Sequence, residues 1–139
     1  MSERVFIDTN VAVYLFDNGS PEKQKEARNI FSSVKYRGKL LISTQVLHEF
    51  YVVVTKKLST PLDPKAADKA VQNLAALQVV QIDTEMIMSA INLLQKEKIS
   101  FCDSLIIQSA IVGGAKKLYS EDLQNGRKFG DLEIKNPFA

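Results

Sequence analysis

Hydrophobic residues along the chain fall in short runs that alternate with longer segments of helical periodicity. Short, mostly apolar runs at residues 5–7, 40–42 and 79–82 are typical of strands that are covered on both faces. A further strand is predicted at residues 117–120 and a weak final one at residues 132–134. Because these strands alternate with helical segments, the pattern predicts an α/β fold with a mostly parallel sheet flanked by helices.

Capping residues and helix breakers set the expected helix boundaries. Ser20 and Asp63 each precede a proline, a combination that starts a helix, and Gly113 with Gly114 ends the last one. Either Asp83 or Thr84 caps the fifth helix. The predicted helices cover residues 10–16, 20–36, 44–58, 64–77, 84–96 and 100–112.

Helical spacing also predicts which side chains face the core. The inward positions of the second helix are Ala27, Ile30, Phe31 and Val34. Those of the fifth helix are Met86, Ile87, Ala90, Ile91 and Leu94. The third helix is apolar around most of its circumference and is expected to be largely buried, and the sixth helix is almost wholly apolar.

Size and composition indicate one ordinary globular domain over residues 1–139. Hydrophobic residues make up 45% of the chain and charged residues 24%. A single cysteine, Cys102, excludes an internal disulfide and a cysteine-based zinc site. No apolar run approaches the roughly 20 residues of a membrane span, and the start shows no signal-peptide pattern. A cytoplasmic protein is therefore expected.

The net charge of +2 argues neither for nor against a nucleic-acid partner. Basic residues do cluster between positions 22 and 39, where only two acids accompany them: Lys23, Lys25, Arg28, Lys35, Arg37 and Lys39. The cluster taken alone favours a solvated helix face over a track for phosphates.

Three acids occupy positions that surface exposure does not explain. Asp8 directly follows the first strand, at the edge where open α/β sheets bind ligands. Glu49 lies in the most apolar helix, where a carboxylate needs a cationic partner or a wet site. Asp103 lies in the first turn of the sixth helix, where capping with Ser100 is an alternative explanation.

A fourth acid, either Glu121 or Asp122, follows the strand at residues 117–120, where a turn is the alternative role. Carboxylates gathered at one sheet edge repel one another unless they are protonated or bridged by a cation. Oxygen ligands suit Mg²⁺ or Mn²⁺ better than zinc. There is no glycine-rich phosphate loop, so a metal-assisted hydrolase of phosphodiesters fits best. His48 points about 100° away from Glu49 and is not expected to act as a base.

Four sequence motifs resemble those of the PIN-domain nucleases. They are Asp8-Thr9-Asn10, residues 45–51 around Glu49, residues 101–106 around Asp103, and residues 118–123. Their order and spacing are most similar to the VapC toxins of VapBC toxin–antitoxin pairs, and the match runs from residue 4 to about residue 136.

The resemblance implies a PIN-like three-layer sandwich and a metal-dependent endoribonuclease. Asp8, Glu49, Asp103 and Asp122 would be both the catalytic residues and the ligands of one or two Mg²⁺ or Mn²⁺ ions. It favours Asp122 over Glu121, and it gives Asn10 and Ser120 the role of positioning water or ligands. Members hydrolyse RNA with a metal-activated water, leaving a 5′-phosphate and a 3′-hydroxyl. A homodimer and a cognate antitoxin that covers the active-site groove are also implied.

Other functions remain open at this point. A catalytically silent PIN-like RNA-binding or protein-interaction module would share the fold, and a stand-alone nuclease would share the motifs. A phosphoacceptor receiver domain is disfavoured because the first strand lacks its paired acids. Four basic residues were expected near the mouth of the site as minor candidates for phosphate contacts: Lys116, Lys117, Arg127 and Lys128.

Overall fold

A six-stranded sheet forms the centre of the molecule in the computed structural model, which describes residues 3–139. Met1 and Ser2 of the predicted domain lie outside the described residues. The strand order is β3-β2-β1-β4-β6-β5, and all neighbours are parallel except β5 and β6. The strands are β1 Val5–Ile7, β2 Leu40–Ser43, β3 Gln78–Val80, β4 Lys117–Tyr119, β5 Lys128–Phe129 and β6 Leu132–Lys135.

Six α-helices complete a three-layer α/β sandwich, which confirms the predicted fold class. They are α1 Thr9–Val13, α2 Pro21–Ser32, α3 Thr44–Lys56, α4 Pro64–Ala75, α5 Thr84–Glu97 and α6 Phe101–Val112. Two 3₁₀ turns, Tyr14–Phe16 and Val34–Tyr36, follow α1 and α2. No helix within residues 3–139 is long and apolar enough to cross a membrane.

Five of the six α-helices within residues 3–139 begin at side chains that accept a backbone N–H. The caps of α1, α3, α4, α5 and α6 are Asp8, Ser43, Asp63, Asp83 and Ser100. Each satisfies one of the N–H groups that the first turn of a helix leaves without a partner. Asp83, and not Thr84, therefore caps α5. Ser20 precedes α2 but makes no such bond, so Pro21 is the start signal that acts there.

The buried strands and the inner helix faces form one hydrophobic core. Every residue of β1 and β2 is buried, and the largest fully buried side chains include Phe6, Leu41 and Phe50. Burying each such side chain contributes about 2 kcal/mol to the free energy of unfolding. This core fixes the strand ends from which the functional residues project.

Several predicted boundaries and burials are wrong. Helix α2 ends at Ser32 and not near residue 36, because Ser33 is extended and its hydroxyl accepts the Lys35 N–H. The new turn leaves Val34 73% exposed, and Ile87 on α5 is also exposed. Helices α3 and α4 each end two residues early, β3 is shifted to Gln78–Val80, and the edge strand β5 was not predicted.

The order in which strands are added to the sheet reverses between β1 and β4. The chain moves outward from β1 to β2 and β3, then crosses back to place β4 on the other side of β1. Ligands of open α/β sheets bind outside the carboxyl ends of the strands where the order reverses. Asp8 follows β1 and Ser120 follows β4, so both lie at this point.

Candidate metal-binding active site

A cleft of about 320 Å³ opens at the carboxyl edge of the sheet. It is lined by side chains from the residue after β1, from α1, α3 and α6, from Lys57 just beyond α3, and from the segment after β4. All four acids singled out in the sequence line it: Asp8, Glu49, Asp103 and Asp122. Residues that are up to 114 positions apart in the chain (122 − 8) therefore share one cavity.

Asp8 is the most enclosed of these acids, with 8% of its surface exposed. Its carboxylate accepts the Thr9 N–H at 2.7 Å and the Ser120 hydroxyl at 2.8 Å. Burial raises the pKa of Asp8 to about 6, and repulsion from Asp122 and Glu49 adds to the rise, although the two hydrogen bonds oppose it. Asp8 is thus a carboxylate whose negative charge lacks compensation.

Ser120 is fully buried and orders the end of β4 around Asp8. Besides donating to Asp8, its oxygen accepts the Leu123 N–H at 3.3 Å. The Asp8 N–H is bonded to the Tyr119 carbonyl at 3.0 Å, so the two strand ends are joined through the backbone as well. The sequence indicated Ser120 only through the resemblance.

The segment after β4 turns one acid into the cleft and its neighbour away. Asp122 lines the cleft and accepts the Asn10 amide at 2.5 Å. Glu121 instead accepts the Tyr14 hydroxyl at 2.6 Å and forms an ion pair with Lys23. Although partial burial opposes it, hydrogen bonds from Lys23 and Tyr14 lower the pKa of Glu121. Of the two acids that spacing left open, Asp122 is the one in the cleft.

Glu49 is held by two neutral donors. The Thr9 hydroxyl donates to its carboxylate at 2.7 Å and the Gln45 amide at 3.2 Å. No lysine or arginine within residues 3–139 forms an ion pair with Glu49, so the structural alternative of a cationic partner is not observed. Sequence reasoning gave no role to Thr9 or Gln45. Gln45 lies one helical turn before Glu49, a spacing that could have indicated it.

Asp103 lies in the first turn of α6, and its carboxylate has no bonding partner among the described residues. Ser100 caps the helix by accepting the Asp103 backbone N–H at 3.0 Å, so the side chain of Asp103 is not needed for that bond. In the described part of the chain no group hydrogen bonds to the half-buried Asp103 carboxylate or pairs with it. The capping explanation therefore accounts for its backbone and leaves its side chain available.

The basic residues expected at the mouth are elsewhere. Lys117 begins β4 and therefore lies at the amino edge of the sheet, opposite the cleft. Lys116 pairs with Asp131, and Arg127 pairs with Glu97 at 2.8 Å. That expectation is wrong. Lys57 is the one lysine or arginine among the described residues that lines the cleft, and the exposed His48 also borders it.

The chemistry of these donors fits a hard divalent cation. Four carboxylates line one cavity, the cleft offers only Lys57 as a fixed positive charge, and oxygen ligands are those that Mg²⁺ and Mn²⁺ prefer. Within residues 3–139, however, no three acidic, histidine or cysteine side chains stand close enough to hold an ion as they are oriented. Thr9, Asn10 and Ser120 donate hydrogen bonds to three of the carboxylates, so an ion would have to compete with these donors.

The fold and the site place the protein among α/β sandwich proteins that have an acidic cleft where the strand order reverses. Comparison with known protein families shows which family it belongs to. The PIN-domain family matches residues 5–128. The chain belongs to the PIN-domain family, which confirms the resemblance seen in the sequence. Comparison with curated protein sequences gives no significant match.

Solved structures of the same fold are similar over nearly their whole length. The toxin VapC20 of Mycobacterium tuberculosis, described as cleaving the sarcin-ricin loop, has a TM-score of 0.69 at 19% identity and covers 85% of this chain and 89% of its own. A toxin–antitoxin complex from Klebsiella pneumoniae has a TM-score of 0.71 at 16% identity, with coverages of 96% and 97%. VapBC2 of Rickettsia felis, bound to a promoter DNA fragment, has a TM-score of 0.62 at 18% identity, with coverages of 95% and 97%. At these identities the likeness shows the fold.

Proposed function

We propose that this chain is a metal-dependent endoribonuclease that hydrolyses phosphodiester bonds in RNA. The observation that carries the proposal is the convergence of Asp8, Glu49, Asp103 and Asp122 on one cleft, with none of the four in an ion pair within residues 3–139. Such a cluster is unfavourable by itself and is compensated by a bound cation. Membership of the PIN-domain family supports the same reading.

Each acid has a distinct part in the proposed site. A bound Mg²⁺ or Mn²⁺ would supply charge compensation at the phosphate and lower the pKa of a water. Asp8 and Asp103 are the main ligands, because Asp8 is fixed between two strand ends and Asp103 has no competing partner. Glu49 binds the ion or orients the attacking water, and Asp122 completes the acidic wall. Ser120 and Asn10 hold Asp8 and Asp122 in place.

The structural neighbours support a role as the toxin of a toxin–antitoxin pair. VapC20 is described as a toxin and the protein from Klebsiella pneumoniae as a toxin–antitoxin complex, and each of the three matches covers at least 85% of both chains. By analogy, a cognate antitoxin is the proposed protein partner and would cover the acidic cleft. A homodimer and a cytoplasmic location remain predictions from the sequence. A gene for a small DNA-binding protein next to this one would favour the toxin over a stand-alone nuclease.

The test is cleavage of a labelled structured RNA by purified, antitoxin-free protein in Mg²⁺, Mn²⁺ or EDTA. Asp8→Asn is expected to lose cutting by about 100-fold or more, because a ligand of the charge-compensating ion is removed. Asp68→Asn is the matched control, since Asp68 is an exposed carboxylate on α4 outside the cleft. It should cut at the wild-type rate.

A second readout separates metal binding from catalysis. Mn²⁺ should raise the melting temperature of the wild type and of Asp68→Asn, and of neither Asp8→Asn nor Asp103→Asn. If the folded wild type cuts no RNA in either metal, the silent RNA-binding or interaction module replaces the nuclease. Cutting that persists in both EDTA and Asp8→Asn would contradict a metal-dependent mechanism at this cleft.

A further inference from the structure

A second recess, with the opposite charge, lies at the amino edge of the sheet. It has a volume of about 260 Å³, and five of its lining residues define what we call the tyrosine–lysine recess: Lys35, Tyr36, Lys39, Lys117 and Tyr119. Ligand sites that enclose whole small molecules measure about 300–1,000 Å³. The recess is therefore of a size for a single group, such as a phosphate, and not for a complete metabolite.

Three separate segments build the recess. Lys117 and Tyr119 are alternate residues of β4 and so project from the same face of the sheet. Lys39 immediately precedes β2, and its carbonyl accepts the Val5 N–H at 2.9 Å. Lys35 and Tyr36 come from the 3₁₀ turn after α2. The basic cluster noted in the sequence is thus divided, and only two of its six members face this recess.

Lysines outnumber carboxylates among the residues that line the recess. Three lysines line it against the carboxylate of Glu3. Two further carboxylates lie beside it: Glu133 is the neighbour of Lys117 in the register of β4 and β6, and Glu26 borders the adjoining recess that shares Tyr36 and Tyr119. Lys39 and Lys117 are half-buried, yet neither forms an ion pair within residues 3–139. Lysine side chains that are partly withdrawn from water and lack a partner are favourably completed by an anion.

The two tyrosines add a hydrogen-bond donor. Their hydroxyls are bonded to each other at 2.8 Å, and their rings meet edge to face with centroids 6.0 Å apart. One hydroxyl proton is used in that bond, so the pair retains one proton that can be donated to a ligand. Ammonium groups together with a hydroxyl donor are typical contacts to phosphate oxygens.

We propose that the tyrosine–lysine recess binds a backbone phosphate of an RNA strand, at a distance from the bond that is cut. The inference rests on RNA as the substrate proposed above. Lys117 and Tyr119 project from one face of β4, whereas Ser120, the residue after β4, projects from the other face towards Asp8. An RNA strand that passes around the carboxyl end of β4 could contact both sites, and would gain from the recess the positive charge that the acidic cleft lacks.

Binding is measured with a labelled single-stranded RNA of about 16 nucleotides in EDTA, where no cutting occurs. Lys39→Gln combined with Lys117→Gln removes both charges and keeps most of each aliphatic stem. The expected result is an affinity about tenfold lower, and a slope of log K against log salt that is smaller by about 0.7, the amount for one lost phosphate contact. Lys35→Ala, at an exposed position, gives a smaller loss and checks the result in a variant whose fold is not at risk.

The matched control is Lys65→Gln combined with Lys69→Gln, which makes the same change in net charge at exposed positions on α4. It should keep both the affinity and most of the slope. Equal losses in the two double variants would overturn the recess in favour of diffuse charge. Stabilisation of the wild type by inorganic phosphate, with unchanged RNA affinity in the recess variant, would overturn RNA as the ligand.

Cleavage of short and long RNA separates this inference from the nuclease proposal. If the wild type cuts RNA, the variant that combines Lys39→Gln and Lys117→Gln should cut RNA of about 4 nucleotides at the wild-type rate. It should cut the longer strand less efficiently than the wild type does. Recess-dependent binding in a protein that cuts no RNA would leave the recess standing and remove the nuclease. Normal cutting, together with equal RNA affinities of the two double variants, would support the nuclease and rule out the recess.

Discussion

The two sides of the acidic cleft are built differently. On the strand side, Asp8 is buried at the junction of β1 and β4 and is fixed by a fully buried serine. On the helix side, the Asp103 carboxylate is half-buried and has no hydrogen-bond partner among residues 3–139. The same functional group is therefore enclosed and constrained on one side, and available on the other. The strand side supplies a fixed reference position, to which an ion can draw the more accessible acids.

The largest expected effect is on the pH dependence of stability in EDTA. The pKa of Asp8 rises from 3.8 to about 6 on folding, so the folded state binds more protons than the unfolded state between these values. The free energy of unfolding contributed by Asp8 therefore falls as pH rises through this window, by about 3 kcal/mol in total. Asp8→Asn should consequently become more stable than the wild type by an amount that grows from pH 4 to pH 7.

Urea unfolding of the wild type, Asp8→Asn and Asp68→Asn across that pH range measures the effect. Only the Asp8 variant should show a pH-dependent gain, and saturating Mn²⁺ should raise the stability of the wild type but not that of Asp8→Asn. A stability difference that stays constant with pH would mean that Asp8 is not strained by its burial.

The second largest effect is expected at Ser120, which donates a hydrogen bond to the buried carboxylate of Asp8. Ser120→Ala removes a donor from Asp8 and should lower the free energy of unfolding at pH 7 by about 1–3 kcal/mol. Calorimetric titration should also show about 10- to 100-fold weaker Mn²⁺ binding. Ser109→Ala is the control, because that hydroxyl is equally buried but bonds to the Leu105 carbonyl of its own helix. Similar metal affinities in the two variants would contradict the role of Ser120.

A smaller stability effect is expected on the helix side. Asp103→Asn should change the free energy of unfolding by no more than about 0.5 kcal/mol, since the carboxylate has no partner to lose. Mn²⁺ binding and RNA cleavage should nevertheless fall sharply. Urea unfolding together with metal titration distinguishes the two outcomes. A large loss of stability in EDTA would show that Asp103 is structural, and would remove the contrast between the two sides.

The smallest effect is expected at Asn10. Its amide donates to the exposed Asp122 at the rim of the cleft, where a hydrogen bond competes with water. Asn10→Ala should alter stability by a few tenths of a kcal/mol and reduce cleavage by less than about tenfold. Single-turnover cleavage measured beside Ser120→Ala ranks the two supports. A larger loss at Asn10 than at Ser120 would reverse the assignment of the fixed side.

Local signals predicted the fold well where one residue determines the geometry. The caps at Asp63 and Ser100 could be located because each places a short polar side chain before a helical pattern. The edge strand β5 could not be predicted, since two residues carry no periodicity and its pairing with β6 is tertiary. The exposure of Val34 likewise depends on the conformation of Ser33, which the helical pattern does not reveal.

Glu49 and Asp103 were singled out because each lies in an apolar helix, and Asp8 because it follows the first strand. Asp122 was preferred to Glu121 only through the family resemblance. The partners of these acids were harder to predict, since the contact of Thr9 with Glu49 joins two helices whose approach the sequence does not specify. The sequence itself contained evidence against placing the basic residues at the mouth of the cleft. Lys117 opens the strand that ends before Asp122, so the two had to lie at opposite edges of the sheet.

The position of β4 between β1 and β6 has a consequence for how the protein is made. Asp8 emerges from the ribosome early, whereas Ser120 and Asp122 belong to the last fifth of the chain. Because synthesis proceeds from the amino terminus, the nascent chain carries its first acids without the strand that completes the cleft until β4 has been made. Under the proposed function, the chain would be unable to cut the RNA around it before that point.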